Sequence, residues 1–339
     1  MEKQHSVSRR KFILDSAKAA SIVSASGLMG SCSLFSGKGG AKYKIPRRVL
    51  GNTGLEVSIL AFGGGSQFLQ NNDGEWEQLL ETAVEGGINF FETAPTYNAS
   101  DFWETGDGKS LDSSEQRYGH VLSAYRNKLI LSTKLPGRDV EGAKRSLESS
   151  LKNFQTDYLD VLMIHGITKD DDISGMENGL YKTMLSFKES GVVKNIGFSC
   201  MNDPEHSREL LERLDFDVTL VTMNATKYGG YAETILPAAR KKNMGVIAMK
   251  VMRDIVGEAA TPRELLEYAW TQEGVASATV GHWGIEPLQE NIRIAQEYTD
   301  NPVASLDREG LENRLAAYAG PHALCWARPG YRDGGLSIA

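Results

Sequence analysis

Four polar side chains in the first half of the chain each stand at or just past the end of a strand-like apolar run. They are Glu92 and Tyr97 in INFFETAPTY, Lys134 in KLILSTKL and His165 in YLDVLMIHG. A carboxylate, a phenol, an amine and an imidazole brought to one point can pass a single proton to or from a carbonyl oxygen, which is the chemistry of reversible carbonyl reduction. Taken singly, a Tyr or Lys at a strand end is ordinarily a half-buried bystander, and a lone His a hydrogen-bonded core residue. It is the ordered set that points to a site.

Positioning such a set requires several strands that end on one face. From Lys44 onward, short apolar runs (VSILAF, INFFET, KLILSTK, LDVLMIH, VKNIGFS, DVTLVTM, MGVIAMK, SATVGH) alternate with amphipathic stretches such as WEQLLETAVEGG and AKRSLESSLKNFQ, whose apolar residues recur at three- and four-residue steps. Eight near-continuous apolar strands, each followed by a helix, predict a parallel (β/α)8 barrel over residues 44–305. An opening β-hairpin turns at Asn52-Thr53-Gly54, and residues 306–339 form one more helix and an irregular tail. A doubly wound open sheet competes, but it would advertise G-x-G-x-x-G after the first strand, and FGGGSQ does not match. In a barrel, catalytic residues gather at the C-terminal ends of the strands, where all four residues map.

The composition fits a large globular core: 339 residues, 41% hydrophobic, with 35 glycines. A net charge of −7 argues against a nucleic-acid partner. Cys32, Cys200 and Cys325 show no C-x-x-C spacing, so neither a disulfide framework nor an iron–sulfur cluster is expected, and six scattered histidines do not suggest a metal site. Residues 1–40 read as a separate object. SRRKFIL precedes a short, Ser- and Ala-rich apolar stretch and resembles a twin-arginine export signal. Met29-Gly30-Ser31-Cys32 is similar to a lipoprotein cleavage box, which makes Cys32 a candidate lipid anchor. The expectation is a bacterial protein passed to the twin-arginine export machinery and held in the periplasm or at the membrane. The alternative is a disordered basic tail with an incidental cysteine.

Over residues 44–300 the chain resembles the aldo/keto reductase superfamily. GGINFFETAPTY, SEQRYGHVL, STK, TDYLDVLMIH and ESGVVKNIGFS match the family's successive motifs in order. The resemblance implies a nicotinamide-dependent oxidoreductase that interconverts an aldehyde, ketone or sugar with its alcohol. It makes Tyr97 the proton donor, with Lys134 favouring the phenolate, His165 orienting the substrate oxygen and the carboxylate at 92 holding Lys134. The family normally has Asp where this chain has Glu92, so the charge is kept but displaced by about one bond length.

The resemblance also places the cofactor. Ser199 matches the serine that holds the carboxamide, while Leu220 stands at the usual glutamine position and Asn224 is the candidate substitute. Met249 replaces the stacking aromatic, and Lys250 is placed to meet the pyrophosphate. In GHWGIEPLQEN, Glu290 and Asn291 map onto adenine contacts. Gly281 and Pro287 occupy the basic positions that grip the 2′-phosphate of NADP, which favours NAD or a relaxed preference, with Arg293 as a possible replacement cation. The insertion NASDFWETGDGKSLDS carries Phe102 and Trp103 as a candidate lid or sugar-stacking platform, and His282 and Trp283 are further rim candidates. An acidic, aromatic rim favours sugars or other neutral polyhydroxy carbonyls. A cofactor-binding barrel with a regulatory role and slow turnover stays open, supported by Glu92, Leu220 and Met249. A metal-dependent barrel hydrolase or isomerase is the third reading.

Overall fold

A computed structural model describes residues 44–101, 113–257, 259–298, 306–334 and 336–337. The proposed export segment, Cys32, Phe102 and Trp103 lie outside the described residues. Eight parallel strands close into a barrel: β3 (Leu60–Gly63), β4 (Phe90–Glu92), β5 (Ile130–Leu135), β6 (Leu159–Ile167), β7 (Val193–Cys200), β8 (Val218–Thr222), β9 (Gly245–Met249) and β10 (Val275–Val280). Each pairs with the next in sequence, and β10 returns to β3 through Ala278↔Leu60 and Val280↔Phe62. Strands covered on one side by helices and on the other by the barrel interior have no wet face, which is why they read as unbroken apolar runs. In β5, β6, β8 and β9 every residue is buried.

The hairpin precedes the barrel as expected. β1 (Arg47–Val49) pairs antiparallel with β2 (Glu56–Ser58), and Gly54 in the turn takes φ +72°. It lies across the starts of the strands. The side chain of Asn89, just ahead of β4, accepts from the Ser58 amide at 2.7 Å and donates to Glu56 O at 2.8 Å. Gly51 presses against the start of β9, where a Cβ would stand 2.2 Å from Gly245 N. At the barrel seam, Trp270 Nε1 donates to Ile59 O at 2.7 Å and Arg48 Nη1 to Val275 O at 2.9 Å.

The outer helices carry the local signals that start them. Asp139 caps the helix Val140–Phe154 by accepting from Gly142 N at 2.6 Å. Thr261 and Glu264 form a capping box at the start of Pro262–Trp270. Beyond residue 306, the helix Arg308–Leu315 is followed by an irregular stretch held by Trp326, which is fully buried and meets Tyr228 edge-on at 5.5 Å. The chain then turns back across the C-terminal mouth. There β11 (Arg332–Asp333) and β12 (Leu336–Ser337) make a small antiparallel pair.

Candidate active site

β4, β5 and β6 are adjacent parallel staves: Glu92 pairs with Ser132, two residues before Lys134, and Lys134 pairs with Met163, two before His165, so the three side chains step along the same ends of neighbouring strands. Tyr97 follows five residues after β4, its amide tied to Ala94 O at 3.1 Å and its carbonyl to Ser114 N at 2.9 Å. All four residues are buried. The Lys134 ammonium has three donors and uses all of them: one on Glu92 Oε1, one on Thr93 O at 3.0 Å and one on Tyr97 Oη at 3.2 Å. The longer Glu92 side chain therefore still reaches the ammonium. His165 meets the Tyr97 ring edge-on with centroids 5.7 Å apart.

A second buried carboxylate stands behind Lys134. Glu115, from SEQRYGHVL, accepts from Thr133 Oγ1 and Ser150 Oγ at 2.7 Å and from Asn153 Nδ2 at 3.0 Å. Thr133 precedes Lys134 on β5, so Glu115 fixes the strand that presents the ammonium. Burial raises its pKa and the three donors oppose that rise.

The structure adds a residue that the sequence pattern did not indicate. Asp333, on the tail, places Oδ2 2.5 Å from Tyr97 Oη and 3.2 Å from His165 Nε2. Its other oxygen lies 3.1 Å from Lys250 Nζ and accepts from Tyr331 Oη at 3.4 Å. Burial opposes ionisation of Asp333, but Lys250 and His165 overcome it and hold the carboxyl well below its ordinary range. Burial likewise keeps His165 neutral, with its pKa lowered to about 4. A neutral ring facing a carboxylate carries its proton on Nε2 and donates it. Burial first, then the negative charges of Asp333 and Glu92, raise Tyr97 well above its usual value. With the tail in place the phenol stays protonated.

A cavity of about 380 Å³ opens beside this cluster and runs along the ends of β9, β10 and β3. Met249, Lys250, Gly281, Glu290 and Asn291 line it, as do Leu220 and Pro287. Ser199 and Asn224 are not in its lining. The Ser199 hydroxyl accepts from Gly166 N at 2.9 Å and donates to Ile164 O, and the Asn224 side chain is held by Lys250 O and Thr226. The two candidate carboxamide contacts are thus bonded to β6 and to the β9 end, outside the cavity lining. His282 is also corrected. It is buried rather than on the rim, packed 5.4 Å from Phe62 and 3.1 Å from Asn291 Nδ2, with its pKa lowered by burial to about 3. Trp283 is exposed at the rim, as expected. Arg293 pairs with Glu297 on its own helix and is not in the cavity lining.

Sequence reasoning passed over Arg253. It lines the cavity, donates to Ser66 Oγ at 2.5 Å and to Gln67 Oε1 at 3.3 Å, and stands with Lys250 as a second cation. The cavity fits a nicotinamide dinucleotide in kind. It has two cations for a pyrophosphate, Gly63, Gly65 and Gly281 presenting bare backbone, and an open end at Trp283, Pro287 and Glu290. No cluster of three or more metal-ligating side chains occurs among the described residues.

Comparison with known proteins agrees with this geometry. Residues 60–256 match the profile of the aldo/keto reductase family. The uncharacterized oxidoreductase YqkF of Bacillus subtilis is 24% identical over 322 residues, spanning 80% of this chain and 99% of that protein. L-galactose dehydrogenase of Arabidopsis thaliana is 26% identical over 328 residues, spanning 84% and 97%. The holo form of an aldo-keto reductase from Bacillus halodurans shares the fold with a TM-score of 0.64 at 21% identity, covering 80% of this chain and 96% of that one. The protein is therefore a (β/α)8-barrel member of the aldo/keto reductase family.

Proposed function

We propose that the protein interconverts a small carbonyl compound and its alcohol, using Tyr97 as proton donor and acceptor and a nicotinamide dinucleotide in the cavity beside it. The observation that carries this reading is the chain of contacts Glu92–Lys134–Tyr97, which points a phenolic oxygen and the His165 imidazole at one spot next to the cavity. When bound, the dinucleotide supplies or accepts the hydride. The chain's own residues manage the proton. As negative charge grows on the carbonyl oxygen, the Tyr97 hydroxyl gives up its proton, and the nearby ammonium stabilises the phenolate left behind. Neutral His165 donates from Nε2 to the same oxygen and fixes its direction. Glu92 keeps the ammonium in place. Lys250 and Arg253 are the residues that would hold the pyrophosphate.

The lining supports NAD over NADP. Its cations are Lys134 in the catalytic cluster and Lys250 and Arg253 for the pyrophosphate, while Pro287 and Glu290 offer nothing to a 2′-phosphate. The residues preceding the barrel support export, with Cys32 as a lipid anchor. Mass analysis of the amino terminus of protein taken from its native envelope tests that, and an uncleaved, unmodified start would rule it out.

The reaction is tested with a panel of aldehydes, ketones and aldoses and either dinucleotide. Tyr97→Phe is expected to lower kcat by at least about 100-fold while the thermal midpoint holds. Turnover that survives the loss of the hydroxyl would overturn the assignment.

A further inference from the structure

The position that Asp333 Oδ2 occupies is the one the proposed reaction reserves for its substrate. A carbonyl oxygen must lie within hydrogen-bond reach of both Tyr97 Oη and His165 Nε2, and Oδ2 already stands 2.5 Å from the first and 3.2 Å from the second. We propose that the segment Tyr331–Gly334 is an internal ligand of the catalytic centre, with the Asp333 carboxylate filling the carbonyl-oxygen site, so that a substrate enters only by displacing it. This inference rests on the assignment of Tyr97 and His165 as the groups that hold the substrate oxygen.

Three independent features make the contact a built one. Asp333 is bound through both oxygens: three groups from three other parts of the chain, Tyr97, His165 and Lys250, converge on it, and Tyr331 of the strap itself adds a fourth contact. Its carboxylate also balances the charge of the cluster, where Glu92 and Asp333 face Lys134 and Lys250. Third, the backbone is shaped to the phenol. Gly334 has φ +56°, and a Cβ there would stand 2.1 Å from Tyr97 Cδ1 and 3.0 Å from Thr96 O. No side chain fits at 334 while the tail is seated, so a glycine is what allows the approach.

The anchoring of the tail lets it move as a unit. The chain is fixed through Trp326, whose carbonyl accepts from Asn202 Nδ2 at 3.2 Å, and through Cys325, whose amide donates to Asp254 Oδ2 at 2.8 Å. Residues 328–330 are then exposed, and Gly330 takes φ +75°. A strap hinged there can swing Asp333 out without disturbing the barrel. Most of the dinucleotide cavity lies to one side of Asp333, along β9, β10 and β3. The strap therefore closes the substrate end of the site and also engages Lys250, one of the two pyrophosphate cations, while Arg253 and the far end of the cavity stay clear of it. Because it is tethered, its effective concentration is set by a short linker, so even a weak contact competes with a dissolved substrate.

Two variants remove the internal ligand by different means. Asp333→Ala deletes the carboxylate, and Gly334→Ala keeps it but denies the strap its seat. Both are measured for KM and kcat with a small neutral aldehyde. Both are also titrated with benzoate, a free carboxylate that reports on whether the oxygen site is open even if no substrate is turned over. The expected result is a KM lowered about fivefold or more in both variants, kcat unchanged or higher, and benzoate affinity raised about tenfold. Benzoate affinity that rises without any turnover in any form of the protein supports the strap and counts against the redox assignment. Clear turnover, with neither KM nor benzoate affinity altered by either variant, overturns the strap alone. A kcat reduced 100-fold by Asp333→Ala with KM unchanged also overturns it, since Asp333 would then serve the reaction instead of blocking it.

Discussion

At the starts of the barrel strands, Asp160 is held by Arg126 Nη2 at 2.8 Å, Lys194 Nζ at 2.9 Å and the Leu131 amide at 3.0 Å. Asp217 is held there by Lys188 and the Ile196 amide. At the strand ends, Glu92 and Lys134 form a buried pair, and Lys250 finds its carboxylate only through a residue more than eighty positions along the chain. The first arrangement ties neighbouring staves together with partners that belong to the barrel itself. The second is completed by a tail that a hinge can remove. Buried charge is costly unless paired, so the strand starts are built to stay as they are, whereas the strand ends keep a charge partner that can be exchanged. Conservation of structure and capacity for chemistry have been placed on opposite faces.

Several measurements bear on that contrast. The largest effect is expected for Lys134→Met, which should lower kcat by about two to four orders of magnitude and leave Glu92 as an unpaired buried carboxylate. A variant that keeps near-normal kcat would show that the ammonium is only a strut, like those at the opposite face. Next is acid sensitivity. His165 and His282 are both neutral and buried at the mouth, with folded pKa values of about 4 and about 3 against an ordinary 6.5. Between pH 6.5 and 4 the unfolded chain takes up protons that the folded one refuses, so stability should fall as pH drops through this window, by about 3 kcal/mol from His165 alone. Urea midpoints measured across this range would show it, and His282→Gln should flatten the slope. A slope unaffected by that change would move the acid sensitivity elsewhere.

Asp160→Asn should come third, costing about 2 to 3 kcal/mol of folding stability while KM for an aldehyde stays within about twofold. A marked change in KM would erase the division between the two faces. The smallest effect is expected from Glu92→Asp. The side chain already reaches Lys134, so shortening it should change kcat by no more than about threefold. A large gain would mean that the longer carboxylate holds the ammonium out of position.

Much of this was written in the chain. The eight staves were legible because strands buried on both faces leave unbroken apolar runs, as LDVLMIH and MGVIAMK do. The four catalytic candidates stood out as an ordered set, each at or just past the end of such a run. The partners of Asp333 were not legible. YRDGG carries a turn-forming composition but no periodicity to say which surface it crosses, and its seat depends on Trp326 and on the path of the tail. Ser199 and Asn224 show the opposite limit. Motif position places them near the cofactor but says nothing of the backbone groups they bond to, which the structure shows to be Gly166, Ile164 and Lys250. His282 looked like a rim residue because its burial depends on Phe62, more than two hundred residues away.

The hairpin across the strand starts has a consequence for orientation. The chain enters the barrel through Ile45 and Arg47 on the floor, with Asn89, Gly245 and Val275 gripping it there. Whatever precedes Lys44 is joined to the side facing away from Tyr97. That junction and the catalytic opening therefore lie on opposite faces of the barrel.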